Sequence, residues 1–285
     1  MIQSMTGYGK SVLELPNKKI TIEIRSLNSK NLDVNARVPS AYREKELDLR
    51  KQISNSLHRG KVDFNLYMEF TGDSTPTVIN EGAVTSYMKQ LAKIQDGHPV
   101  ELMKMAVRFP DALTTEREEI DDAEFEKISK AVDDALTSIN EYRSDEGKAL
   151  EADFKKRVTN ISSLLEKVSD MDSDRIEDVK ERLTKAVSDL KESVDENRFE
   201  QELVYYLEKY DITEEKVRLK NHLSYFSETM ESPKSNGKKL GFISQEIGRE
   251  INTIGSKANY APMQQLVVQM KDELEKIKEQ ALNVL

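Results

Sequence analysis

The sequence predicts an α+β protein with an N-terminal antiparallel-sheet domain carrying one helix, a long helical hairpin in the middle and a C-terminal helical domain. Three observations lead there. Apolar and polar residues alternate along early segments, the period of half-buried strands. The stretch from Ala123 to Asn197 has no proline and one glycine, Gly147, which leaves long helices as its economical reading. The rest carries apolar residues at helical spacing, broken by one run of turn-forming residues.

Pro16-Asn17 supplies a turn before the first strand, in which Ile20, Ile22 and Ile24 alternate with Thr21, Glu23 and Arg25. A second strand alternates Leu32, Val34, Ala36 and Val38 with Asp33, Asn35 and Arg37. Between Ala41 and Leu57, the spacing of Leu47, Leu49, Ile53 and Leu57 predicts a helix, with Gly60 as its left-handed terminator. Strand alternation resumes with Val62, Phe64, Leu66, Met68 and Phe70 on one face and Lys61, Asp63, Asn65, Tyr67 and Glu69 on the other. Residues 1–120 therefore read as the α+β domain.

Residues 121–196 form the helical middle, where Leu164, Leu165, Val168, Ile176, Val179, Leu183 and Val187 mark a narrow apolar stripe in a charge-dense background. Residues 197–285 are helical again, interrupted by Ser232-Pro233-Lys234-Ser235-Asn236-Gly237. The last helix opens near Pro262 and runs through Leu266, Met270, Leu274 and Ile277 at coiled-coil spacing, which suits packing within or between subunits.

Composition narrows the function. There is no cysteine, which excludes a thiolate nucleophile and cysteine-based metal sites. The opening MIQSMTGYGK lacks the layout of a secretion signal, and no apolar run approaches the ~20 residues that span a bilayer, so a cytoplasmic protein with no membrane partner is expected. With 43 Lys and Arg against 52 Asp and Glu the net charge is -9, so any RNA binding needs a local basic surface. Phosphate-loop, dinucleotide, GxSxG and HExxH motifs are all missing.

The richest stretch for chemistry is LGFISQEIGREINTIGSK, residues 240–257. As a helix it carries an apolar stripe of Leu240, Ile243, Ile247, Ile251 and Ile254, and beside it a polar stripe of Glu246, Glu250, Thr253 and Lys257. Carboxylates at i and i+4 can share a divalent cation, and Arg249, Asn252 and Lys257 can hold a phosphate nearby. Ordinary surface charges would give the same spacing, but these acids border the apolar stripe instead of opposing it. Upstream, Asp211, Glu215, Arg218 and His222 stand on one helical face, a set able to bind metal and move protons. Asp211 also suits a helix cap there. Arg25, Ser26 and Asn28 close a strand, and Arg59 and Lys61 join helix to strand. All five offer donors to phosphate and ribose, although Ser26 and Asn28 suit turns and caps equally well.

The segments MIQSMTGYGK, EIRSLNSKNLD, RGKVDFNL, NRFEQELVYYLEKYDITEEKVRLKNHL and GKKLGFISQEIGREINTIGSKANY together resemble the YicC/YloC family of bacterial endoribonucleases. The resemblance covers both ends of the chain. It implies a metal-dependent ribonuclease using Mn²⁺ or Mg²⁺, assembled as a ring-like homo-oligomer, a hexamer, and active in RNA turnover. Its motifs fall on Ser4, Met5, Thr6, Gly7 and Tyr8, on Arg25, Ser26 and Asn28, on Arg59, Gly60 and Lys61, and on the two acidic faces. Gly241 and Gly248 depart from the bulkier or polar residues expected there.

The expected mechanism is metal-assisted hydrolysis of an RNA phosphodiester. Asp211, Glu215, Glu246 and Glu250 hold the cation, His222 transfers protons, and Arg25, Lys61, Arg218, Arg249 and Lys257 bind the backbone. Two other classes compete. An RNA-binding adaptor for another nuclease would use the same basic residues without the acids, and a helical scaffold would explain the middle region but not the stripe from Glu246 to Lys257.

Overall fold

The computed structural model of the chain describes residues 2–71, 77–115, 121–188 and 196–285. The chain divides into two compact units. One holds Tyr8–Ser26 and Asn31–Asn140; the other holds Met1–Gly7, Leu27–Lys30 and Glu141–Leu285.

In the first unit, β1 (Gly7–Glu14), β2 (Lys18–Leu27), β3 (Leu32–Arg37) and β4 (Gly60–Phe70) form a four-stranded sheet in the order β1-β2-β4-β3. β3 runs parallel to β4, with Leu32 opposite Gly60 and Arg37 opposite Asn65, so the sheet is mixed where an antiparallel one is expected. The physical reason is the connection. Parallel neighbours need a crossover, and the chain supplies one as a 3₁₀ turn (Ser40–Lys45) followed by α1 (Glu46–Ser56). The first helix is thus split in two, and Gly60 opens β4 at a φ of 121° instead of capping the helix. Leu47 lies off the stripe of Tyr42, Leu49 and Ile53 and is exposed.

Ile20, Ile22, Ile24, Val62, Phe64 and Leu66 cover one sheet face and pack with Tyr42, Leu49 and Ile53, and with Ile128, Val132 and Ile139 of α4 (Asp122–Asp170). Between β4 and α4, β5 (Thr77–Ile79) pairs antiparallel with β6 (Leu113–Thr115). They flank α2 (Glu81–Ile94) and α3 (Pro99–Ala106), which share a small core of Val84, Ala106 and Ala112.

The middle region is a bent helix rather than a hairpin. α4 runs for 49 residues, and Met171 alone separates it from α5 (Asp172–Ser188). The Arg175 amide still donates to the Met171 carbonyl at 3.1 Å, and a reversal of direction needs a longer loop. The border between the compact units, at Asn140, falls inside α4, away from the compositional borders at 120 and 196. Of the apolar stripe read in this region, Val187 lies outside the residues whose side chains are described.

The second unit contains α6 (Glu196–Tyr210), α7 (Thr213–Glu231), α8 (Gly237–Lys257) and α9 (Ala261–Ala281). The α8 stripe of Leu240, Ile243, Ile247, Ile251 and Ile254 is buried throughout. It packs in one core with Leu219, Leu223 and Phe226 of α7, Phe154 and Ile161 of α4, and Met263, Val267, Met270, Leu274 and Ile277 of α9. The coiled-coil spacing of α9 is therefore satisfied within one chain.

The two ends of the chain clasp each other. The Met5 amide donates to the Asn283 carbonyl at 2.8 Å, the Leu285 amide to Gln3 at 2.9 Å, and the Ser4 amide to Arg143 of α4 at 3.0 Å. This brings the Ile2 carbonyl onto Gly147, where a methyl group would collide with it. Gly147→Ala should lower stability by roughly 1–3 kcal/mol through overpacking. Gly241, with open space around its Cα, should instead gain about 0.5–1 kcal/mol as alanine by helix propensity. Urea unfolding of both variants checks the pair, and a shift in the same direction for both would contradict this packing.

Candidate functional site

In the second unit the polar stripe of α8 runs along α7, and it divides by burial. Glu250 is 8% exposed and has no hydrogen-bond or ion-pair partner among the described residues. Glu215, on the first turns of α7, is 5% exposed and receives Lys257 Nζ on Oε1 at 2.6 Å, while its Oε2 is buried without a partner. A buried carboxylate oxygen that lacks a donor is costly, so Glu215 Oε2 is a candidate for a ligand not made of protein. Lys257 sits in the last turn of α8, where a cation is favoured, and it fastens that turn to α7.

A neighbouring network fixes the start of α7. Asp172, almost wholly buried at the head of α5, accepts from Arg175 Nε at 2.9 Å and Lys216 Nζ at 2.6 Å, and Arg175 Nη2 donates to the Tyr210 carbonyl at 2.9 Å. Sequence reasoning missed these three residues. The run in which they lie is dense in charge, and only burial separates this ion pair from its surface neighbours.

The other two acids have protein partners. Asp211 precedes α7, which begins at Thr213, so helical spacing does not apply to it. It accepts the Thr213 amide at 2.9 Å, and the hydrogen bonds from Thr213 hold its carboxyl below the ordinary range. This hydrogen bond gives Asp211 a structural part at the entry to α7. Glu246 is half-exposed and binds Arg249 Nη1 at 2.8 Å on the solvent side. Among the described residues no group of three or more His, Asp or Glu side chains converges as a metal cage would. Glu215 Oε2 and the Glu250 carboxylate are oxygens here without a protein donor, and Mg²⁺ or Mn²⁺ takes one or two carboxylates and completes its shell with water and phosphate oxygens.

His222 is half-buried on α7 and Asn252 is exposed on α8. Arg218 pairs with Glu214 at 2.5 Å and Arg249 with Glu246; both guanidinium groups are exposed, and surface pairs of this kind are worth only about 0–1 kcal/mol, so a phosphate can displace either carboxylate. Two further cations lie on aromatic rings at the loop end of the α7–α8 pair, Lys239 Nζ 4.5 Å from the Tyr225 ring and Lys238 Nζ 6.0 Å from Phe242. Neither lysine has a carboxylate partner among the described residues. The Lys239–Tyr225 contact crosses from α8 to α7, which hides it from a reading along one helix.

In the first unit, the sheet face opposite the core is open. Tyr8 and Lys10 of β1, Glu23 and Arg25 of β2, and Lys61 and Tyr67 of β4 share it. Arg25 lies 5.5 Å from the Tyr8 ring and touches Glu23 at 3.4 Å, and Lys61 is exposed with no partner among the described residues. Arg59 is half-buried before β4. Of the other two strand-end residues, Ser26 is buried and Asn28 is exposed. Ser26 is 2% exposed, because it alternates with Arg25 toward the interior, and Asn28 in the second unit donates Nδ2 to the Leu282 carbonyl at 2.7 Å. Among the described residues no helix is long and apolar enough to cross a membrane.

The chain matches known proteins along its length. Residues 2–152 match the family model described as the N-terminal region of YicC-like endoribonucleases, and residues 165–285 match the C-terminal model of the same family. A probable endoribonuclease YicC of Clostridioides difficile (strain 630) is 34% identical over 293 residues, covering 100% of both chains. Another of the same name, from Haemophilus influenzae (strain ATCC 51907 / DSM 11121 / KW20 / Rd), is 28% identical over 287 residues, again covering 100% of each.

Proposed function

The chain belongs to the YicC-like endoribonuclease family, and from that premise we propose that it cuts RNA internally by cation-assisted hydrolysis, with Glu250 and Glu215 as the acids at the reacting centre. The observation that carries the reading is that two acids with little exposure, Glu215 on α7 and Glu250 on α8, keep carboxylate oxygens without a protein donor. Hydrolysis adds water across a P–O bond and leaves a phosphate on one fragment and a hydroxyl on the other. A divalent cation, when bound, lowers the pKa of that water and offsets charge on the phosphate. Glu250 and Glu215 would supply its protein oxygens. Lys257 holds Glu215 by one oxygen and leaves the second available. His222 stands on the same helix as Glu215 and serves as the proton carrier, toward water or leaving oxygen.

Arg218, Arg249 and Asn252 on the helices, and Arg25, Arg59 and Lys61 on the sheet unit, bind the strand through its phosphates and sugars. Local cations of this kind supply the attraction that a chain of net charge -9 lacks overall. We assign the protein to the cytoplasm and to RNA turnover, and to a homo-oligomer of six chains. Self-association is supported by exposed apolar side chains concentrated from α2 to β6, among them Ile94, Val100, Met103, Met105 and Leu113.

The test is incubation of the purified chain with an end-labelled structured RNA in Mn²⁺, in Mg²⁺ and in EDTA. Discrete fragments that require the cation are expected. RNA that is retarded on a gel but never cut would move the protein to the adaptor class, and no retardation even at low salt would leave the helical scaffold as the better account.

A further inference from the structure

Beside the open sheet face, at the carboxyl end of the edge strand β3, lies a shallow hollow of about 430 Å³. It exists because β3 ends at Arg37, opposite Asn65, whereas β4 continues through Leu66 and Tyr67 to Phe70. The chain leaving β3 turns away at Pro39 into the 3₁₀ turn, so the end of β4 has no strand beside it there. Crevices beyond the carboxyl ends of parallel strands are where crossover connections leave room for ligands.

Three side chains give the hollow its chemistry. Arg37 and Arg43 line it, both are exposed, and neither guanidinium has a partner among the described residues. Tyr67 lines it with a ring that is 50% exposed. The one carboxylate present, Glu46, is held by Arg50 Nε at 2.8 Å. Arg25, Arg218 and Arg249 all have carboxylate partners, so the two arginines here are conspicuous as unused charge.

We propose that this hollow holds one nucleotide of a single-stranded RNA, its phosphate taken by Arg37 and Arg43 and its base stacked on Tyr67. The inference rests on the RNA-cleaving reading above and adds a substrate-positioning site to it. Guanidinium forks match phosphate oxygens in pairs, and a half-exposed ring beside them is the arrangement by which proteins hold single strands without reading their sequence. The open form of the hollow suits a strand passing across it better than a free mononucleotide, which would be enclosed on most sides.

The experiment measures anisotropy of a short labelled RNA strand, and of an abasic strand of equal length, binding to the full chain in EDTA over a range of salt. Wild type is compared with Arg37→Ala/Arg43→Ala, with Tyr67→Ala, and with Lys51→Ala/Lys104→Ala, which removes the same charge from exposed pairs outside the hollow. The arginine pair should weaken both strands and reduce the log–log salt slope by about 0.7, the value for one phosphate on a single strand. Tyr67→Ala should weaken the normal strand about 5- to 150-fold and leave the abasic one unchanged. Should Tyr67→Ala disturb β4, the arginine pair, which is exposed, still decides. Equal losses in the lysine control would show a long-range field only, and an acidic peptide competing as well as RNA would indicate a protein partner; either overturns the subsite. Unaffected variants alongside a wild type that binds and cuts RNA would remove the subsite and leave the nuclease. A wild type that neither binds nor cuts removes both.

Discussion

Glu250→Gln should abolish RNA cleavage while leaving the protein folded. Groups that merely orient a metal ligand are worth about 10- to 100-fold in activity, so losing a ligand oxygen should cost at least about 100-fold. Stability should move the other way. Glu250 is 8% exposed and no described residue donates to it, so the fold gains no ion pair or hydrogen bond from its charge. Glu250→Met, which fills similar volume on a helix, should be about 1–2 kcal/mol more stable than wild type, read as a higher urea midpoint. Function lost together with stability gained is the signature of a group kept for chemistry. Full activity in Glu250→Gln would exclude it as a ligand, and a lower midpoint in Glu250→Met would show that the carboxylate has a structural partner.

Phe226→Ala should destabilise the second unit by about 3–5 kcal/mol, the cost of emptying a packed aromatic site. Phe226 is wholly buried on α7 and meets Phe154 of α4 edge-on, with ring centroids 5.7 Å apart. The edge-to-face pair is worth about 0.5–1.5 kcal/mol beyond the area it buries. Val217, on the same helix, is 55% exposed, and Val217→Ala should stay within about 0.5 kcal/mol of wild type. Denaturant titration of both separates them. A loss below about 1 kcal/mol for Phe226→Ala would mean that α7 does not pack as described.

Much of the fold was legible along the chain because burial has a period. Alternation located β2, β3 and β4, and the 3.6-residue stripe located α8 with every one of its buried isoleucines. β1 was missed, since its inward positions are Gly7, Gly9, Ser11 and Leu13, too small for the most part to produce alternation. Of the candidate site, Glu246 and Glu250 were found together by their i, i+4 spacing, yet one lies on the solvent side and the other inside. Asp211 was counted with Glu215, although the helix that would align them begins only at Thr213.

Local pattern was thus enough for the α+β class, for most helices and three of the six described strands, and for the stretch that carries the acids. These features depend on which residues face water within one element, and period reports that directly. Only the tertiary structure decided that β3 runs parallel to β4, that α4 serves both compact units, and that Lys257 closes on Glu215 while Glu250 stays unpaired. Each depends on which element lies alongside which, so the electrostatic meaning of a charged residue follows from neighbours distant in the chain.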